Sequence, residues 1–119
     1  ATGTMVHHVL KASEQIEAEC GATVKVVNMH TIKPLDLQAV KDACSADLIV
    51  SVEEHSIYGG LGGAIAEMLA LEKHRPPHLI IGTQDDYANA GEYESVLEHY
   101  GLTIPLIVQR INSIYKELF

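Results

Sequence analysis

The feature that most constrains the fold is a junction in the middle of the chain, between an apolar run and a glycine-rich turn. Residues 48–52 read Leu-Ile-Val-Ser-Val, and a short β-branched run of this kind is typical of a buried strand. Three polar residues follow directly: Glu53, Glu54 and His55. The turn after them is rich in glycine, with Gly59, Gly60, Gly62 and Gly63. In an open α/β sheet such a junction lies at the carboxyl end of a strand, where these folds carry their functional surface.

The rest of the chain alternates helical and strand-like patterns. Apolar residues that recur at helical spacing predict five helices, over Met5–Cys20, Leu37–Ala43, Leu61–Glu72, Gly91–Tyr100 and Ile104–Leu118. Apolar and β-branched runs predict three strands, over Thr23–Met29, Ala46–Glu53 and His78–Ile81. Strands that alternate with helices favour a mostly parallel sheet with helices on both sides. The sequence therefore predicts one α/β domain over residues 1–119, with three α/β/α layers.

Charge and cysteine content narrow the class of protein. The formal net charge of −8 argues against binding nucleic acid or an anionic membrane through a basic surface. No apolar run approaches the roughly 20 residues that a membrane helix needs. Cys20 and Cys44 are expected to be free thiols in a reducing compartment. We therefore expect a cytoplasmic protein whose partners are neither nucleic acid nor membrane.

The polar residues at the strand end have two chemical interpretations. Because successive strand residues point to opposite faces, Glu53 and His55 are expected on one side and Glu54 on the other. A carboxylate beside an imidazole could act as a general acid–base pair, but the two are too few to hold a metal ion alone. The favoured interpretation is a hydrogen-bonded cluster at a domain or subunit contact.

The glycine-rich turn also has two interpretations. A strand, a glycine loop and a helix are the parts of a phosphate-binding cradle. Gly60-Leu61-Gly62 begins a dinucleotide fingerprint, but its third small position falls on Ile65. We therefore favour glycines that allow another surface to approach the backbone closely.

Four segments together resemble one family. Residues 53–62, Glu-Glu-His-Ser-Ile-Tyr-Gly-Gly-Leu-Gly, resemble the signature of the C-terminal domain of transketolase and its relatives. Three other segments match the same domain in the same order: residues 1–4, Ala-Thr-Gly-Thr; residues 26–36, Val-Val-Asn-Met-His-Thr-Ile-Lys-Pro-Leu-Asp; and residues 100–103, Tyr-Gly-Leu-Thr. The resemblance spans essentially the whole chain.

The resemblance implies a domain of a thiamine-diphosphate enzyme that moves two-carbon ketol units between sugar phosphates. In this family the other domains bind thiamine diphosphate and a divalent metal, Mg or Ca, across a homodimer. The third domain binds neither, and packs against the other domains and the dimer partner. We accordingly expect no catalytic, cofactor-binding or metal-binding residue in this chain and no activity from it alone. The residues expected at an interface are those of the signature loop: Glu53, Glu54, His55, Tyr58, Gly59, Gly60 and Gly62.

Alternatives remain open within and outside the family. The parent could be a deoxyxylulose-phosphate synthase or the beta subunit of a 2-oxo-acid dehydrogenase. The chain could also be a stand-alone α/β module that binds a ligand or a protein. The family's sheet has an apolar strand immediately before the segment that matches residues 1–4. We therefore expect this chain to be a fragment of a longer polypeptide, lacking the first strand or strands of the domain.

Overall fold

The computed structural model describes residues 1–87 and 90–119. Five helices and two strands follow one another along the chain: α1 (Met5–Cys20), α2 (Leu37–Ala43), β1 (Ile49–Ser56), α3 (Leu61–Leu69), β2 (His78–Thr83), α4 (Tyr93–His99) and α5 (Ile104–Leu118). Among the described residues, no helix combines the length and the apolar character needed to cross a membrane.

The helices α1, α2 and α5 have the predicted bounds, whereas α3, α4, β1 and β2 differ from them. Both strands extend further than predicted at their carboxyl ends, β1 to Ser56 and β2 to Thr83. Helix α3 ends at Leu69 rather than at Glu72, because the last turn tightens and the Glu72 N–H donates to the Leu69 carbonyl three residues back. Strand β1 begins at Ile49 rather than at Ala46, because the Ala46 N–H is used in the turn that closes α2. Helix α4 is shorter than its predicted range at both ends.

The predicted strand over Thr23–Met29 is wrong, since these residues form no regular strand. Their backbone bonds to one residue at the start of the chain. The Ala1 nitrogen donates to the Val27 carbonyl at 3.0 Å, and the Met29 N–H donates to the Ala1 carbonyl at 2.8 Å. A strand depends on several successive bridges to a neighbour, and Ala1 supplies one.

The described sheet consists of β1 and β2, paired in parallel. Val52 pairs with Ile81 and Ser56 with Thr83, so β1 advances four residues while β2 advances two. This irregularity lies at Glu53, Glu54 and His55. Like a β-bulge, it interrupts the hydrogen-bond ladder and changes the direction of the side chains there. The candidate polar residues therefore lie on the distorted end of β1.

Helices cover both faces of the sheet, which confirms the predicted α/β/α layers. Val52 of β1 lies in a buried core with residues of α1, α4 and α5, such as Ala12, Leu97 and Ile107. Ile49 lies in the other core, formed with α2 and α3 by Met29, Val40, Leu61, Ile65 and Leu69. Because Val52 lies three positions after Ile49, an odd offset, strand alternation directs the two side chains to opposite faces.

Candidate functional site

The centre of the candidate site is the buried carboxylate of Glu53. Its side chain is fully buried. One oxygen accepts the Leu61 N–H at 2.7 Å and the other accepts the Gly62 N–H at 2.7 Å. These are N–H groups of the first turn of α3, which have no partner inside the helix. A carboxylate there also interacts favourably with the helix dipole, so Glu53 fastens the end of β1 to the start of α3.

This arrangement decides between the two interpretations of the glycine loop. A phosphate bound at the start of α3 would need the free N–H groups of its first turn. The Leu61 and Gly62 N–H groups are already bonded to the Glu53 carboxylate. The chain's own anion therefore occupies the place that a phosphate would take.

Gly60 and Gly62 leave room for groups of the chain itself. A Cβ on Gly60 would collide with the Glu53 carboxylate and lie 2.8 Å from His55 Nδ1. A Cβ on Gly62 would collide with Ile80 and lie 3.0 Å from Ser51 Oγ. We expected these two glycines to admit a neighbouring surface, but the groups that approach them belong to β1 and β2.

His55 lies beside Glu53, as strand alternation predicted. Its Nδ1 is 3.8 Å from a Glu53 oxygen and 2.8 Å from the Ser56 carbonyl. A carbonyl oxygen accepts only, so Nδ1 carries the hydrogen in this contact. The side chain of His55 is 59% exposed while that of Glu53 is 1% exposed. The imidazole therefore lies at the surface above a carboxylate whose two oxygens each accept a backbone N–H.

Glu54 faces away from Glu53, again as predicted. Its side chain contacts the start of α1 and the start of α4, which sequence reasoning did not connect with it. One of its oxygens accepts from the Thr4 hydroxyl at 2.6 Å and from the Tyr93 hydroxyl at 2.9 Å. The hydrogen bond to Glu54 raises the pKa of Tyr93. Thr4 and Tyr93 are 50 and 39 residues from Glu54 in the chain, so no local pattern could have indicated these contacts.

Three exposed tyrosines lie at the carboxyl edge of the sheet. Tyr58 follows β1 and is 66% exposed, Tyr87 follows β2 and is 95% exposed, and Tyr93 opens α4 and is 47% exposed. We call Tyr58, Tyr87 and Tyr93 the tyrosine edge. Sequence reasoning singled out Tyr58 alone. The other two could have been found by listing aromatic residues that follow predicted strands, because parallel strands end at one edge.

A second polar pair lies under α3, away from the strand end. His78 Nε2 is 3.0 Å from Ser51 Oγ, and burial lowers the pKa of His78. Ser51 is 1% exposed, so its hydroxyl has no access for a substrate. This pair ties the start of β2 to the middle of β1.

The remaining candidate ligands do not form a metal centre. Among residues 1–87 and 90–119, no group of three or more His, Cys, Asp or Glu side chains is placed to hold a metal ion. Cys20 and Cys44 are free thiols. The Cys20 thiol donates to Asn112 at 3.1 Å, which joins α1 to α5. Both cysteines therefore belong to the packing of helices.

Comparisons with known proteins agree with this architecture. Residues 1–107 match the family model "Transketolase, C-terminal domain". A protein of Methanocaldococcus jannaschii named as a transketolase C-terminal section is 41% identical over 117 residues, which cover 98% of this chain and 36% of that protein. A 1-deoxy-D-xylulose-5-phosphate synthase of Aromatoleum aromaticum is 36% identical over 110 residues, covering 92% of this chain and 17% of that enzyme.

A solved structure shows the same fold. It is a split-gene transketolase, described as an inactive beta4 tetramer, and it superposes with a TM-score of 0.81 at 34% sequence identity. The match covers 94% of this chain and 35% of that one. The chain thus spans about a third or less of the proteins that it matches. On the family match and this fold, the chain belongs to the transketolase C-terminal domain family.

Proposed function

We propose that this chain is the non-catalytic C-terminal domain of a transketolase-like enzyme, which transfers two-carbon ketol units between sugar phosphates. In this proposal, residues 1–119 are one domain of a longer or multi-chain enzyme. Their role is to pack against the other domains and to contribute to a homodimer contact. Deoxyxylulose-phosphate synthase is the alternative parent, because relatives of that name match nearly the whole chain.

The observation that carries the non-catalytic role is the double hydrogen bond of Glu53. A catalytic carboxylate needs a lone pair within reach of the substrate. The Glu53 oxygens bond to the Leu61 and Gly62 N–H groups, and the side chain is fully buried. The residue that most resembled a general base is therefore used to hold β1 and α3 together.

We further propose that the described residues of this chain do not hold thiamine diphosphate, the cofactor of the family. A diphosphate needs free donors at a helix start or a bound cation to bridge its oxygens. The donors at the start of α3 are taken by Glu53, and the described residues hold no cluster of metal-binding side chains. We assign the cofactor and its divalent metal to other domains of the parent enzyme.

The tyrosine edge is the surface that we assign to the contact with a neighbouring domain or subunit. Tyrosine is enriched in protein interfaces because its ring buries area while its hydroxyl keeps a hydrogen bond. Tyr58 and Tyr87 are mostly exposed, and Tyr93 donates a hydrogen bond to Glu54 on the end of β1. The tetramer of the split-gene transketolase supports assembly through chains that carry this domain.

The interface assignment is tested in the assembled enzyme with Tyr58→Ala. If Tyr58 is a central contact, the dissociation constant of the oligomer, measured by sedimentation velocity, rises about tenfold or more. The affinity of the assembled fraction for thiamine diphosphate should not change. Leu71→Ala is the matched control, because Leu71 is 79% exposed and follows α3, whose end lies at the opposite edge of the sheet.

Two results would contradict the proposed function. Loss of turnover in Tyr58→Ala with assembly and cofactor affinity intact would place the loop in the reaction itself. Isolation of residues 1–119 as a complete natural protein that binds a small ligand with no thiamine enzyme in the complex would favour the stand-alone module instead.

A further inference from the structure

The negative charge of this chain is concentrated in the two segments that follow the strands. Residues 53–60 include the end of β1 and the turn after it, and residues 84–94 connect β2 to the start of α4. These two segments contain six of the 16 acidic residues of the chain and no lysine or arginine. The rest of the chain contains the other ten acidic residues together with all 8 basic ones. Most of the net charge of −8 therefore belongs to the carboxyl edge of the sheet.

The carboxylates at this edge are open to a partner, with the exception of Glu53, which is fully buried. The other five are exposed: Glu54, Asp85, Asp86, Glu92 and Glu94. The Thr4 and Tyr93 hydroxyls both donate to Oε2 of Glu54, so neither of them uses Oε1. The Tyr87 N–H donates to Oδ1 of Asp86 at 2.7 Å. Carboxylates and exposed tyrosine rings therefore alternate along the tyrosine edge.

This combination favours arginine on the partner. A guanidinium group forms two parallel hydrogen bonds with a carboxylate, and its planar cation also stacks on an aromatic ring. The ammonium group of lysine supplies the charge, but it is more strongly hydrated and has no flat face to stack. Arginine is also enriched in protein interfaces, as tyrosine is. A surface that carries both carboxylates and tyrosine rings is therefore complementary to arginine side chains.

The charge disfavours a second copy of the same edge as the partner. In a two-fold dimer, a patch that lies on the symmetry axis meets its own copy. Two tyrosine edges would then bring the exposed carboxylates of both chains together, and residues 53–60 and 84–94 contain no lysine or arginine to separate them. Like charges that face each other across an interface suppress binding. The partner surface therefore belongs to a different part of the enzyme.

We infer that the tyrosine edge docks onto an arginine-bearing surface of another domain of the parent enzyme, rather than onto the tyrosine edge of a second copy. Guanidinium groups of that surface stack on the rings of Tyr58 and Tyr87 and bond to carboxylates such as Glu54 and Asp85. The inference rests on the proposed function, because it specifies the partner of the interface assigned there.

The test reverses charges in the assembled enzyme. Asp85 and Glu92 are exposed, and Glu92 makes no side-chain hydrogen bond to the start of α4, so Asp85→Lys combined with Glu92→Lys alters charge at the edge alone. Glu14→Lys combined with Glu67→Lys is the matched control, because it makes the same change in charge at exposed positions of α1 and α3. Sedimentation velocity measures the dissociation constant of the oligomer for both.

At about 0.05 M salt, the dissociation constant should rise about tenfold or more in the edge variant and less than about twofold in the control. At about 0.5 M salt, the difference between the two variants should fall below about threefold, because mobile ions screen charges at a solvent-accessible interface. This recovery separates a lost charge contact from a misfolded domain, since a misfolded domain would assemble poorly at both salt concentrations.

The outcomes distinguish this inference from the proposed function. Equal dissociation constants in the two variants, or a difference that salt does not reduce, would overturn the inference and leave the interface standing if Tyr58→Ala still weakens assembly. If Tyr58→Ala has no effect either, the interface assignment fails with it. Tighter assembly of the edge variant would show that the tyrosine edge faces an acidic surface, and would also overturn the inference.

Discussion

Glu53 and Leu61 lie eight residues apart in the chain and are joined by a hydrogen bond of 2.7 Å between a fully buried carboxylate and a backbone N–H. With the parallel bond to Gly62, one side chain satisfies two donors of the first turn of α3. The polar signature at the end of β1 thus serves the connection between a strand and its crossover helix.

Glu53→Gln should destabilise the domain by about 1–3 kcal/mol, because one carboxylate oxygen becomes an NH₂ group facing the Leu61 or Gly62 N–H and leaves a buried donor unpaired. Urea unfolding measures this change. Glu54→Gln is the matched control, since Glu54 is exposed and the free energy should change by less than about 0.5 kcal/mol. An equal loss of unfolding free energy in the two variants would show that the buried hydrogen bonds of Glu53 stabilise the domain no more than the exposed Glu54 does.

Gly60→Ala should destabilise the domain by about 1–3 kcal/mol, because its Cβ collides with the Glu53 carboxylate. Gly63→Ala places the same methyl group three residues later, where nothing lies within 4 Å. There the change should be neutral, or stabilising by up to about 1 kcal/mol, because alanine favours the helix. Thermal unfolding of the two variants compares them directly, and the opposite order would refute the packing role of Gly60.

The sequence predicted the layers and most helices, because local periodicity determines which face of a helix is buried. It also predicted that Glu53 and His55 share a side, since this follows from strand alternation. The strand over Thr23–Met29 was wrong for a physical reason. Its apolar run is suited to a sheet, but a strand exists only with a neighbour, and within the described residues its backbone-to-backbone hydrogen bonds reach Ala1 alone.

The contacts that sequence could not reveal are those between distant segments. The Glu54 carboxylate meets Thr4 and Tyr93 only because β1, α1 and α4 converge at one edge of the sheet. The groups that lie against Gly60 could not be identified from the sequence for the same reason. A glycine in a turn indicates a close approach, but it does not say whether the approaching group belongs to the chain or to a partner.

Tyr93 should titrate above its ordinary pKa, because its hydroxyl donates to the Glu54 carboxylate. A tyrosine whose folded pKa is raised contributes stability that is present below about pH 10 and lost as the pH rises through the folded pKa. Glu54→Gln should lower the pKa of Tyr93 toward its ordinary value. Tyrosinate absorbance measures it, with Tyr93→Phe identifying the signal, and an unchanged pKa in Glu54→Gln would contradict the assignment.

His78 should make the domain less stable at mildly acidic pH. Burial lowers the pKa of His78, so below about pH 6.5 the unfolded chain binds a proton at His78 more readily than the folded chain does. The contribution of His78 to the free energy of unfolding is therefore constant above about pH 6.5. It falls as the pH drops toward the pKa of His78 in the folded chain, and it is constant again below that pKa. His78→Gln should reduce this slope between about pH 5 and 6.5 in urea midpoints. An identical slope in both proteins would assign the dependence to other groups.

The Glu53 carboxylate occupies the anion-binding place at the start of α3, and we propose that the domain for this reason does not hold the cofactor there. The most direct measurement follows the amide resonances of Leu61 and Gly62 in residues 1–119 while thiamine diphosphate and Mg²⁺ are added. We predict no saturable shift of either resonance in the folded chain. A saturable shift of both would show that the diphosphate reaches these donors, and would contradict the account.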